Sequence, residues 1–238
     1  MRYSKDHKAE TRQRIVKNAS VLLREHGAAG LGVAELMKDV GLTHGGFYAH
    51  FASRDALIGE AFAHAIEQTT RRWRKQAESA PEGQRLAVIV DGYLTAEHRD
   101  DVGHGCALPS LGVDVLRGDP KTRKTFASRL EQMVDMMVEQ IPGQSPEAAR
   151  RDAIGALATM MGALILARTA GQTEFSDEIL SAGRAAALRG EAAQLPAKKA
   201  AAAGPRPQPK VKPQPKVRLK AKRKPAPAGT TGCAKTPA

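Results

Sequence analysis

Apolar residues recur along the chain at helical spacing, and no stretch sustains the alternation of a strand. Ile15, Ala19, Leu22 and Leu23 fall at i, i+4, i+7 and i+8, which predicts a first helix from about Thr11 to His26, stopped by Gly27. A short helix from Val33 to Val40 follows, broken by Gly41, and another spans His44 to Phe51. Ser53 is placed to cap a long helix to about Gln76, with Asp55 in the first turn, where the helix dipole favours a carboxylate. Beyond Pro81 helices are expected over Gln84 to Arg99, Leu108 to Leu116 and Pro120 to about Gln140. Asp100 to Cys106 reads as a polar loop, and Pro142 with Gly143 ends the third of these helices. Pro146 starts a long apolar helix to Ala170, and Ser176 caps a last one to about Glu191. The pattern is that of an all-α protein.

The longest apolar run, Ala153 to Ala167, holds 15 residues between Arg150, Arg151 and Arg168. As a helix it spans ~22 Å against a bilayer core of ~30 Å, so a buried helix and no membrane partner are expected. Met1 to Arg14 is charged throughout and lacks an apolar segment, so no signal peptide is expected there.

Charge changes the picture of the C-terminus. The formal charge of +12 arises from residues 195–238, which carry 12 bases and no acid; residues 1–194 balance 25 bases against 25 acids. That end is Lys/Pro/Ala-rich and repeats two hexads, Arg206-Pro-Gln-Pro-Lys-Val211 and Lys212-Pro-Gln-Pro-Lys-Val217. Such a composition cannot bury enough apolar surface to offset ordering entropy, so a disordered basic tail is expected, adding nonspecific affinity for DNA. Within the body, residues 1–75 carry 13 bases and 8 acids and residues 76–194 carry 12 and 17, which suits a molecule meeting phosphate at one end. Cys106 and Cys233 are the only cysteines, too few for a disulfide framework; a reducing, cytoplasmic setting is expected.

The segment from Ala34 to Phe51 concentrates the chemistry. Leu36, Val40, Leu42, Phe47 and Phe51 form an apolar set able to pack two short helices, with Gly41 where the turn between them needs positive φ. Phe47 and Phe51, at i and i+4, turn inward and send His44, Gly45, Tyr48 and His50 outward. Thr43 is placed to cap the second helix, leaving its amides facing a phosphate. Gly45 and Gly46 cost about 1 kcal/mol each in a helix relative to Ala. Close approach to a DNA groove wall would account for them.

Gly41-Leu-Thr-His-Gly-Gly-Phe-Tyr-Ala-His-Phe51, followed by Ser53-Arg-Asp-Ala-Leu57, resembles the tetracycline-repressor (TetR) family of bacterial regulators. Thr11-Arg-Gln-Arg-Ile15 and the helix end Leu22-Leu-Arg-Glu-His-Gly27 extend the resemblance over residues 9 to 60. It implies a sequence-specific transcriptional regulator bound to double-stranded operator DNA, a repressor released by a small-molecule or thiol-reactive effector. Thr43 and Tyr48 would contact phosphates, His44 and Gly45 would face base edges, His50 would lie near the backbone, and Arg54 would hold another phosphate. Lys5, Lys8 and Arg12 would add nonspecific contacts. Two positions depart from the family pattern: Gly32 stands where Ser or Thr usually caps, and Met37 where a small residue is common.

Residues 1–52 are therefore expected to bind DNA and residues 53–194 to bind effector and dimerise. Ile154 to Arg168 and Ser176 to Leu180 resemble the last two helices of such regulators, which pair with their copies as a homodimer; Gly155, Ala158, Gly162 and Ala163 are small enough for close helix approach. Met133, Met136, Met137, Met160 and Met161 are candidates for lining an effector pocket, with core packing the alternative. His98, Asp100, Asp101, His104 and Cys106 match no familiar zinc spacing, so neither metal nor cofactor is expected. Cys106 opens an apolar helix, where a lowered thiol pKa would suit a redox sensor; an inert buried thiol is the alternative. No Gly-x-Ser-x-Gly, phosphate-loop or His-Glu-x-x-His motif occurs, which argues against an enzyme. An architectural DNA-coating protein remains the competing class.

Overall fold

The computed structural model describes residues 5–189, all helices and turns; the basic C-terminal segment expected to be disordered lies outside the described residues. Helix α1 (Lys5–Gly30) carries Ile15, Ala19 and Leu23 fully buried on one face, as its periodicity implied. Gly27 interrupts it as expected: the backbone leaves helical geometry there (φ 71°, ψ 175°), and a short further turn to Gly30 follows, its Ala28 N–H donating to the carboxylate of Asp114 at 2.8 Å.

Helix α2 (Val33–Asp39) leads into a six-residue 3-10 helix, His44–Ala49, and then α3 (Arg54–Glu78). Ser53 caps α3 as expected, its hydroxyl accepting the Ala56 N–H at 3.0 Å. Helix α3 is the spine: it packs on both α1 and α7, burying Leu57, Phe62, Ile66 and Trp73.

The single helix expected over Gln84 to Arg99 is two. Helix α4 (Arg85–Tyr93) stops at Leu94, and Thr95 starts α5 (Ala96–Asp100) by accepting the His98 N–H at 3.1 Å. Helices α6 (Ala107–Arg117), α7 (Pro120–Val138) and α8 (Pro146–Ala170) follow the sequence pattern closely. Asp119 caps α7 through both the Lys121 and Thr122 amides, and the hydrogen bond from the Thr122 hydroxyl, then those amides, hold its carboxyl below the usual range.

Helix α9 (Glu174–Ala187) starts earlier than expected, with Thr173 rather than Ser176 as its cap. Ser176 is instead fully buried, donating to the Ala167 carbonyl and accepting from Arg99. Where α8 and α9 pack, a Cβ on Gly183 would stand 2.5 Å from that of Ala163, so glycine is what permits their approach.

Among the described residues α8 alone is long and apolar enough to cross a membrane. Here one side of it, from Ala149 through Leu157 and Leu164 to Ala167, is buried in a core shared with α6, α7 and α9. Its other side is open: Ile154, Gly155, Ala158, Ile165 and Leu166 are exposed, and Cβ atoms on Gly155 or Gly162 would meet nothing. Met133, Met136, Met137 and Met160 are buried core residues.

Candidate nucleic-acid interface

The turn between α2 and the 3-10 helix closes by paired backbone bonds. Gly41 N–H reaches the Lys38 carbonyl at 2.9 Å and Leu42 N–H the Met37 carbonyl at 2.8 Å, the Schellman pattern. It requires a left-handed residue, and Gly41 supplies φ 74°. Thr43 then stands at the start of the next element with extended backbone, but its hydroxyl makes no cap bond. The element is 3-10 rather than α, with Gly46 N–H on the Thr43 carbonyl at 3.0 Å and His50 N–H on Phe47 at 2.9 Å.

Phe47 and Phe51 are 1% and 2% exposed and stack with centroids 5.5 Å apart. Burying each ring is worth about 2–3 kcal/mol, enough to fix the rotation of so short an element. That rotation exposes Thr43, His44, Gly45 and Tyr48 in one outward row. Tyr48 is 68% exposed, with its ring edge-on to His44 at 6.4 Å. A Cβ at Gly45 would meet nothing within 4 Å, and Gly45 has no positive φ, so nothing inside the molecule calls for glycine there.

Two arginines also carry internal contacts. Arg54 Nε donates to the Leu31 carbonyl at 3.2 Å and Nη2 to that of Ala28, so it closes the end of α1 against α3. Arg12 lies over the Phe51 ring at 4.3 Å, donates to the His50 carbonyl at 3.3 Å and pairs with Glu60. Both are half-buried and engaged by carbonyls, a carboxylate and a ring. Lys8 is exposed on α1. His50 is half-buried, its Nδ1 without a hydrogen-bond partner; burial first, then the charges of Lys8 and Arg12, lower its pKa and keep it neutral.

Cys106 has the setting of the inert-thiol alternative. It is fully buried just before α6, and burial pushes its thiol pKa up, outweighing the hydrogen bonds that favour thiolate. His98 sits beside it, Nδ1 donating to the Tyr93 carbonyl at 2.7 Å and Nε2 accepting the Cys106 N–H at 2.9 Å. His104 pairs with Asp101 at 2.9 Å, and Asp100 with Arg99. Among the described residues no three His, Cys, Asp or Glu side chains converge as metal ligands would.

The family model for bacterial regulatory proteins of the tetR family matches residues 15–61, the stretch that builds this interface. An uncharacterized HTH-type transcriptional regulator of Mycobacterium tuberculosis is 27% identical over 167 residues, covering 66% of this chain and 84% of its own. Residues 15–61 thus match the DNA-binding segment of the tetR family, and the chain is a helix-turn-helix transcriptional regulator. Solved structures share the fold of this chain. A TetR-family transcriptional regulator from Cytophaga hutchinsonii superposes with a TM-score of 0.66 at 19% identity, over 79% of this chain and 96% of its own. The reduced form of Escherichia coli NemR does so with 0.64 at 18%, over 75% and 95%.

Proposed function

We propose that this chain is an effector-released repressor that binds operator DNA as a homodimer in the cytoplasm. The observation that carries it is the outward row of Thr43, His44, Gly45 and Tyr48 standing on the buried Phe47–Phe51 anchor. Thr43 and Tyr48 contact phosphates; His44 and the bare backbone of Gly45 face base edges in the major groove, and His50 lies near the DNA backbone as a neutral ring. Arg54 and Arg12 act as positioning residues, through the turns they hold. Residues 1–52 read DNA, residues 53–194 receive the effector and dimerise, and the chain acts by binding rather than by catalysis.

Dimerisation is supported by the open side of α8. Ile154, Ala158, Met161 and Ile165 recur at i, i+4, i+7 and i+11, and exposed Leu166 and, on α9, Phe175 extend this apolar surface. A single short recognition element grips DNA weakly; two-fold pairing doubles the site and sets half-sites ~34–36 Å apart, or a multiple.

The test pairs sedimentation with footprinting on genomic fragments captured by the protein. Dimers and discrete palindromic footprints are expected, and Leu166→Glu should yield monomers with weak, unpaired protection. A monomer free and DNA-bound overturns the homodimer, and uniform coverage of DNA overturns the operator reading in favour of a coating protein.

A further inference from the structure

Arg24 is 6% exposed, yet no carboxylate pairs with it among the described residues. Its Nε donates to the Gly103 carbonyl at 2.5 Å, and its two terminal amino groups have no hydrogen-bond partner there. A guanidinium held this far from water without a counter-ion is costly, which is why buried charges are normally paired. The neighbourhood makes the cost larger. Arg24 lines a cleft of about 290 Å³ with Gln68, Thr69, Arg71, Arg72 and His104, and no acidic residue lines it. Arg72 has no ion pair, and its charge bears on Arg24 as a like charge. Arg71 is held by Glu67 at 3.0 Å. Asp101 is engaged by His104, and Glu25 lies 3.8 Å from His26, so the nearby acids reach Arg24 only through space.

We infer that this cleft is an oxyanion site, taking the carboxylate or phosphate of a small molecule between Arg24 and Arg72. Terminal guanidinium nitrogens are planar paired donors that suit such a group, and the amide of Gln68 offers a further N–H. The volume is that of a small-ligand pocket. The cleft joins three parts of the molecule: Arg24 comes from α1 of the DNA-binding end, Arg71 and Arg72 from α3, and His104 from the turn before α6. An anion seated there ties α1 to α3 and to that turn. This assignment rests on the effector-released reading for its consequence, which is altered DNA affinity, but not for binding itself.

The experiment uses the full chain with inorganic phosphate, sulfate, benzoate and citrate as separate probes, ionic strength held constant with sodium chloride. Thermal melting and calorimetric titration measure binding, and anisotropy on captured operator DNA measures release. At least one probe should raise the melting temperature saturably. Arg72→Gln, at an exposed position, should fold normally and weaken that probe at least about 10-fold. Arg24→Met should melt at or above wild type without probe, since it removes an unpaired buried charge, and should show no probe-dependent shift. Preference for phosphate and sulfate over benzoate and citrate assigns a phosphate-type ligand, and the reverse a carboxylic acid. Equal shifts in wild type and Arg72→Gln, or no shift with any probe, overturn the site. Binding that depends on both arginines but leaves operator affinity unchanged upholds the site and overturns its part in release.

Discussion

The guanidinium of Arg12 lies 4.3 Å from the centre of the Phe51 ring, so the first helix clamps the end of the recognition element from outside. The same group donates to the His50 carbonyl and pairs with Glu60 on α3, tying three elements together at one charge. Arg12→Met should lower stability by about 1–2 kcal/mol, the scale of a partly exposed cation–π contact plus a charged hydrogen bond. It should weaken binding to operator and random DNA alike. Urea denaturation and competition binding check this; unchanged stability would mean that the contact does not hold the element.

Gly45 separates the needs of the fold from those of DNA. A Cβ there meets nothing, and alanine is the better helix former, so Gly45→Ala should keep or raise stability by up to about 0.5–1 kcal/mol. Operator affinity should nonetheless fall at least about 10-fold, because the added methyl meets the groove wall. His44→Ala should change the ranking of operator variants, whereas Tyr48→Ala and Thr43→Ala weaken all sequences uniformly. An unaltered ranking for His44→Ala would remove it from base reading.

The interface was legible in the sequence because its signals are local. Gly41 announces a left-handed turn, Ser53 a cap, and Phe47 with Phe51 one inward face; each stands within a few residues of what it governs. The internal partners of Arg12, Arg24 and Arg54 were not legible, because they lie 23 to 79 residues away in sequence. The break at Gly27 was legible, but not the short turn after it, whose Ala28 N–H is held by Asp114, 86 residues on. The break at Leu94 was legible in part, since Thr95 is a good cap in the middle of the expected helix.

His98 supplies a pH dependence whose sign is set by its burial. Burial lowers its pKa from 6.5 to about 4, against the raising effect of the Tyr93 carbonyl and with the charges of Arg168 and Arg72 assisting. Between those values the unfolded chain binds the proton and the folded chain does not, so stability is full above pH 6.5 and declines as pH falls towards 4. The slope should approach 1.4 kcal/mol per pH unit at most, to order of magnitude. His98→Gln should flatten it. Urea midpoints from pH 7.5 to about pH 4.5 decide the matter, and equal slopes in both proteins would assign the dependence elsewhere.

Cys106 should behave as an inert thiol. In a Cys233→Ser background, a thiol reagent should label Cys106 at least ~10³-fold more slowly in buffer than in urea, because labelling must await opening of the core. Oxidant treatment should leave operator affinity unchanged. Labelling at comparable rates in buffer and in urea would restore the sensor reading.

The peptide at Ala28 is gripped from both sides: Asp114 of α6 holds its N–H, and Arg54 of α3 holds its carbonyl oxygen. Only residues 29–42 separate that peptide from Thr43, where the outward row begins. Ala28 is therefore a joint between α6, α3 and the segment that carries the outward row. Displacing α6 relative to α3 must either drag that segment along or let go of one of the two bonds. Asp114→Ala should free the segment from α6 without touching its outward residues.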